Sequence, residues 1–346
     1  MTGKCNLNCK FCPVPIEDKD KLNQRERTAD EWIHMAEEAK KAGTIWVSLI
    51  GGEVTLHPEF CDIYTALAKL GFLITIYTNA TMVTDSLIKI FRIYPPRKIS
   101  ITMCGASNKT YQTVCGCRDG YDRFSDGVYR LLELPTSFEI RTMLIEDNKN
   151  DLNFMKQFAE ERFGQGKRLI INRPIEDCVY SSVTCARKYR LIPEQNAEIH
   201  YPELFELCER IQNGEKGILK NPGKLKIHNG KCEDGNQLFS GCNAGIDRYT
   251  ISWKGNLHAC SSLNHVYTKP FETGFQEAWE ILPKQYPENK QIDKCRSCKY
   301  MEFCEACPAS RFLETGDWFG VPEYVCKEAK YLYDVLEKVK IIERVK

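Results

Sequence analysis

The chain has 346 residues, 42% of them hydrophobic and 27% charged, with a formal net charge of +1. It has room for about two domains, and its balanced charge, lack of an apolar run near the ~20 residues of a membrane span and lack of a charged-then-apolar leader exclude nucleic-acid, membrane and secretory signatures. Eighteen cysteines stand against six histidines, which in a reducing cytoplasm, the expected location, argues for all-thiolate metal sites over a disulfide scaffold or mixed Cys/His zinc sites.

The first element is a loop, Cys5-Asn6-Leu7-Asn8-Cys9-Lys10-Phe11-Cys12. Each iron of a [4Fe–4S] cubane takes one external ligand, normally a thiolate. A loop that supplies three leaves one iron open, which suggests a reactive centre. A zinc knuckle or three unrelated buried thiols are the plainer alternatives.

Beyond the loop, Thr28-Ala29-Asp30-Glu31 has capping-box form. Trp32, Met35, Ala36 and Ala39 follow at helical spacing, and Gly43 sits where a C′ glycine ends a helix. Strands are expected at Ile45–Ile50, Leu73–Tyr77, Ile99–Met103, Phe138–Ile145 and Arg168–Asn172. Helices are expected at Glu59–Leu70, after Thr84, near Phe124–Leu132 and near Leu152–Phe163. This alternation predicts a parallel sheet, open or partly closed, with ligands at the carboxyl ends of its strands.

The second half is set out by cysteines. Cys242, Cys260, Cys295, Cys298, Cys304, Cys307 and Cys326 follow one another, and Cys232 precedes them. Ile251–His258 reads as a hairpin turning at Lys254-Gly255. Eight thiolates suffice for two fully ligated [4Fe–4S] clusters, though spacing alone also allows two four-cysteine zinc sites.

The cysteine loop resembles that of the radical S-adenosylmethionine (SAM) superfamily, in which the open iron holds SAM's methionine moiety and reductive cleavage leaves a 5′-deoxyadenosyl radical. That resemblance implies roles at the strand ends. Gly51-Gly52-Glu53 is similar to the motif that holds SAM's amino group, with Val54 where proline is usual. Thr78-Asn79-Ala80 resembles Thr-Asn-Gly, Thr102 matches a hydroxyl near the ribose, and Arg141 a basic residue near the SAM carboxylate. The fold implied is α/β, a partial (β/α)6 TIM-like barrel of parallel strands. Because a strand normally precedes the cysteine loop, a truncated first strand is expected.

The later cysteines resemble the SPASM extension, with C-x2-C in place of the usual last C-x3-C. By that resemblance Cys232, Cys242, Cys260 and Cys307 hold a nearer auxiliary cluster, and Cys295, Cys298, Cys304 and Cys326 a farther one. The domains expected are a core over 1–190, a helical linker over 191–230 and a small SPASM domain over 231–346, carrying the hairpin and a C-terminal helix. Of the remaining cysteines, Cys61 and Cys208 read as buried hydrophobes. Cys104, or else Cys178 or Cys185, is a candidate hydrogen donor to a substrate radical; Cys115 and Cys117 have no assigned role.

Two auxiliary clusters imply a two-electron oxidation of a peptide or protein side chain by an oxygen-sensitive enzyme from an anaerobic host, reduced by a flavodoxin- or ferredoxin-like donor. Sulfatase maturation is the alternative. Ser261 counts against it, because those enzymes place an aspartate after the cysteine matching Cys260. A non-catalytic iron–sulfur carrier has no use for a three-thiolate loop.

Overall fold

The computed structural model describes residues 1–12, 25–164, 169–172, 186–214, 242–288 and 292–338. Cys178, Cys185 and Cys232 lie outside them. The chain divides into two compact units, Met1–Arg190 with Thr250–Lys284, and Leu191–Tyr249 with Gln285–Lys346.

In the first unit five parallel strands lie side by side in chain order: β1 (Trp46–Leu49), β2 (Leu73–Thr78), β3 (Lys98–Thr102), β4 (Ser137–Thr142) and β5 (Ile170–Ile171). This is the expected parallel α/β sheet; among the described residues no sixth strand joins it. The helices that accompany these strands are α1 (Ala29–Lys41), α2 (Phe60–Lys69), α3 (Asp85–Ile93), α4 (Asn108–Cys115), α5 (Gly120–Leu132) and α6 (Leu152–Phe163). Thr28 caps α1 in a full capping box with Glu31, Thr84 caps α3, and Gly43 follows α1 at φ +96°.

Helix α4 was not expected from the sequence. Its apolar positions are only Tyr111, Val114 and Cys115, so its stripe is weak, but Ser107 caps its start and Gly116 its end in the left-handed conformation. Strand β4 stops before the expected Ile145. There Asn148 accepts from the Ile145 amide and donates to the Cys104 and Met143 carbonyls, turning the chain away.

The strands separate two environments. Ile74, Ile76, Ile99, Ile101 and Ile140 are buried, as are Tyr64, Phe91, Phe124, Val128 and Phe158 of the helices. Alternate residues of the same strands are polar: Thr75 and Tyr77, then Lys98, Ser100 and Thr102, then Glu139 and Arg141, paired across the register. Parallel strands covered on both faces usually read as continuous apolar runs. The second face is instead polar and, apart from the buried Ser100, partly exposed.

The Thr250–Lys284 segment carries the expected hairpin, β6 (Thr250–Ile251) with β7 (Leu257–His258), turning at Gly255 with φ +87°. It returns to α1: the Phe275 amide donates to Glu38, and Phe271 meets Trp32 edge to face at 5.5 Å.

The second unit contains α7 (Pro193–His200), α8 (Pro202–Gln212), the short helices α9 (Asp293–Arg296) and α10 (Pro308–Thr315), and the C-terminal α11 (Glu323–Lys338). Its core joins Ala197, Leu204, Leu207, Cys208, Phe303, Ala329, Leu332 and Leu336. Cys208 is the small buried hydrophobe expected. Asn196 donates to Glu328 at 3.0 Å inside this core.

Candidate cofactor site at the strand ends

The cysteine loop is fastened at three places. Before it, the Gly52 amide donates to the Thr2 carbonyl at 2.8 Å and the Glu53 amide to the Lys4 carbonyl at 2.7 Å. In its middle, the Asn8 and Lys10 amides donate to the Cys115 and Val114 carbonyls of α4, each at 2.9 Å. These carbonyls are among the last four that a helix leaves without internal partners. At the sheet, Asn79 donates through Nδ2 to Asn6 at 3.0 Å and lies 3.9 Å from Cys5 Sγ, while Asn6 donates to Thr81 at 2.7 Å. The loop thus sits at the carboxyl ends of β1 and β2, where α/β folds place ligands.

The glycines of Gly51-Gly52-Glu53 have a steric reason. A Cβ on Gly52 would lie 2.1 Å from the Lys4 carbonyl oxygen, and one on Gly51 2.6 Å from that of Thr2. The Glu53 side chain turns inward and is only 1% exposed. It accepts from the Asn79 amide at 2.7 Å, Thr55 Oγ1 at 2.8 Å and Thr78 Oγ1 at 2.9 Å. Burial pushes its carboxyl above the ordinary range even though those bonds favour the charged form. Among the described residues no lysine or arginine pairs with it. A cation brought by a ligand, such as an ammonium group, would favour its ionised form.

Thr102 and Arg141 face each other across β3 and β4. Arg141 pairs with Glu139, lies 5.5 Å from the Tyr77 ring and reaches Asn172 at 3.5 Å. Glu139 also binds Lys98 at 3.0 Å and Ser100 at 2.9 Å. Against the burial that raises it, these partners hold the Glu139 carboxyl below its usual value. Lys98 and Glu139 escaped the sequence reading; their alternation with isoleucine in β3 and β4 was the available signal.

Cys104 is 1% exposed, and its sulfur lies with those of Cys9 and Cys115 in a group mutually within 4.8 Å. Contacts with Cys104 and Cys9 hold the Cys115 thiol down to about 5, whereas contacts with Cys115 and Cys9, together with burial, push Cys104 well up. Cys61 is partly buried on α2, and Cys117 contacts Asp119 at 3.4 Å.

The sequence profile of the radical SAM superfamily matches residues 1–159. That stretch of the chain, from the cysteine loop into helix α6, is a radical SAM domain. An AdoMet-dependent heme synthase of Methanosarcina barkeri is 22% identical over 334 residues, covering 94% of each chain. An Fe-coproporphyrin III synthase of the same organism is 21% identical over 88% of this chain and 80% of its own. Among solved structures, Streptococcus suis SuiB bound to S-adenosylmethionine has a TM-score of 0.68 at 18% identity, over 94% of this chain and 75% of that one. The anSMEcpe structure with bound AdoMet has a TM-score of 0.67 at 16% identity, over 100% and 98%.

The radical SAM family implies SAM and a [4Fe–4S] cluster, and the donor set here fits the cluster. Three thiols share one short loop, and the Leu7 amide donates to Cys5 Sγ at 3.4 Å. Amide donors to sulfur are a known means of tuning such clusters. The same contact recurs at the later cysteines: Ala244 N to Cys242, Ser262 N to Cys260 and Ser310 N to Cys307, each at 3.4 Å. In the second unit Cys295, on α9, accepts from Arg311 Nη1 at 3.7 Å. Burial pushes the thiols of Cys304 and Cys326 up, Cys326 to about 11; Cys295 and Cys298 are near enough to add to this, and the Arg311 charge pulls both back down. No helix among the described residues is long and apolar enough to cross a membrane.

Proposed function

We propose that this radical SAM enzyme takes a hydrogen atom from a side chain of a peptide or protein, and that the substrate radical then yields a second electron to auxiliary [4Fe–4S] clusters. The observation that carries this reading is the cysteine loop held at the carboxyl ends of β1 and β2, beside a polar sheet face. When bound, the cluster and SAM supply the 5′-deoxyadenosyl radical.

Cys5, Cys9 and Cys12 hold that cluster in this reading. Gly51, Gly52 and Glu53 form the wall that receives SAM's amino end, with the buried Glu53 carboxylate as its counter-charge. Asn79 fixes the loop beside Cys5. Thr102 and Arg141 line the polar face, where a hydroxyl and a guanidinium suit the ribose and carboxylate of SAM. Cys232, Cys242, Cys260 and Cys307 are assigned to the nearer auxiliary cluster by resemblance to SPASM proteins, and Cys295, Cys298, Cys304 and Cys326 to the farther one. A flavodoxin- or ferredoxin-like protein of the cytoplasm supplies the reducing electron.

Support for a peptide comes from the fold shared with SuiB, a structure of which holds the precursor peptide SuiA, with a TM-score of 0.67. A second reading, an iron tetrapyrrole as substrate, is favoured by the end-to-end match to the heme synthase. The test is anaerobic reconstitution, reduction with dithionite and measurement of 5′-deoxyadenosine by mass spectrometry, beside a Cys5/Cys9/Cys12→Ala control. Product from the wild type alone supports the reading, and a zinc-filled protein that makes none refutes it. Candidate precursor peptides and Fe-coproporphyrin III, added separately, then show which one changes mass.

A further inference from the structure

Arg311 of α10 is 8% exposed. Its Nη1 donates to the Gly320 carbonyl at 3.0 Å and to Cys295 Sγ at 3.7 Å. Among the described residues no carboxylate lies within ion-pair distance of it. A buried guanidinium without an anion is costly, so the position calls for negative charge nearby. Of the four cysteines assigned to the farther cluster, Cys295 touches Arg311, and Cys304 and Cys326 lie within reach of its charge. Cys295 is on α9, Cys298 in the turn after it, Cys304 ends the short turn Met301–Phe303, and Cys326 is on α11.

We infer that Arg311 is the counter-charge of the farther auxiliary cluster and raises its reduction potential, making that cluster the better electron acceptor. The inference rests on the auxiliary-cluster reading proposed above. Four thiolates around a cubane leave a net negative charge, and reduction adds one electron to it. A fixed positive charge in a poorly screened interior therefore stabilises the reduced state more than the oxidised one. The donation to Cys295 acts in the same direction, since a hydrogen bond to a ligand sulfur withdraws charge from the cluster. Arginine suits the task because its fork stays charged and reaches the Gly320 carbonyl and Cys295 together; beside an anionic cluster a lysine would also keep its charge.

The test is a redox titration followed by electron paramagnetic resonance on the reconstituted full chain, in a Cys5/Cys9/Cys12→Ala background so that only auxiliary clusters contribute. Wild-type Arg311, Arg311→Met and Arg311→Lys are compared at measured iron and sulfide content. Arg311→Met should lower one midpoint by at least a tenfold change in the reduction equilibrium, about 59 mV for a one-electron couple. Arg311→Lys should retain most of the wild-type value. Unchanged midpoints in Arg311→Met at full iron content would overturn the inference, as would a shift in Arg311→Lys equal to that in Arg311→Met. If iron content does not fall when Cys295 is replaced by alanine, the auxiliary-cluster reading itself fails, and the inference with it. Should Arg311→Met not fold, Arg311→Gln takes its place: its midpoint must fall while that of Arg311→Lys stays, and an unchanged midpoint in Arg311→Gln overturns the inference.

Discussion

Replacing Gly52 with alanine isolates what fastens the cysteine loop. The residue does not have positive φ, so the added methyl brings no backbone strain of its own and acts only by collision. Its Cβ would stand 2.1 Å from the Lys4 carbonyl oxygen and 2.6 Å from the carbonyl carbon, both rigid backbone atoms. To regain ordinary contact at 3.4 Å, that oxygen must retreat by about 1.3 Å. The retreat breaks the Glu53–Lys4 bond and loosens the Gly52–Thr2 bond, and the next residue is Cys5. Two weakened backbone hydrogen bonds and the overpacking together amount to about 2–5 kcal/mol. The local consequence is larger than the global one, because Cys5 leaves the position that Asn79 and the Leu7 amide define for it. The variant should therefore fold, melt at a lower temperature, lose most of the iron that depends on Cys5, and make little 5′-deoxyadenosine. Gly51→Ala, whose nearest clash is 2.6 Å and falls at Thr2, should do less. Iron content and SAM cleavage equal to wild type in Gly52→Ala would refute the reasoning.

Asn79→Asp places a carboxylate beside Cys5 Sγ and opposite the Asn6 side-chain oxygen, so it should depress iron loading more than Asn79→Ala does, as read by iron content after reconstitution. Cys104→Ala and Cys115→Ala should keep the iron assigned to the loop, whereas Cys5→Ala and Cys12→Ala should lose it; the reverse would show that the trio of Cys9, Cys104 and Cys115, and not the loop, holds the metal. At Glu31, burial raises the carboxyl, but bonds from the Thr28 amide, Arg25 and Arg27 outweigh it and hold it at about 2. A depressed carboxyl stabilises the fold above its ordinary value of 4.5 and loses that contribution as the pH falls toward 2. Glu31→Gln should thus cost about 1 kcal/mol at neutral pH, with the gap from wild type closing in thermal melts as the pH approaches the folded value.

The β/α alternation was legible because its punctuation is local. Thr28 with Glu31, Thr84 and Gly43 each mark a helix end by their own chemistry, and the isoleucines of β2 and β3 mark the buried strands. Helix α4 escaped because three apolar residues in eight give a faint period; its real signals were Ser107 and Gly116 at the ends. The roles of Gly51 and Gly52 were only half legible. Sequence showed a tight turn at a ligand-binding position, but not that residues 2–4 pack against it, since that contact spans nearly fifty positions. The Lys98–Glu139–Arg141 network depends on register between strands, which no single strand records. The return of Thr250–Lys284 to α1 likewise depends on Glu38 meeting the Phe275 amide, a pairing that neither segment announces.

The docking of the cysteine loop onto the end of α4 has a kinetic consequence. Because Asn8 and Lys10 use carbonyls of that helix, and Lys4 and Asn6 are held by the sheet side, the loop has no slack with which to present its sulfurs one at a time. A chelator in solution must wait until the helix end or the strand ends open. Iron should then leave at the frequency of that opening, largely independent of chelator concentration once the chelator is in excess, and the rate of bleaching would measure how often the first unit breathes.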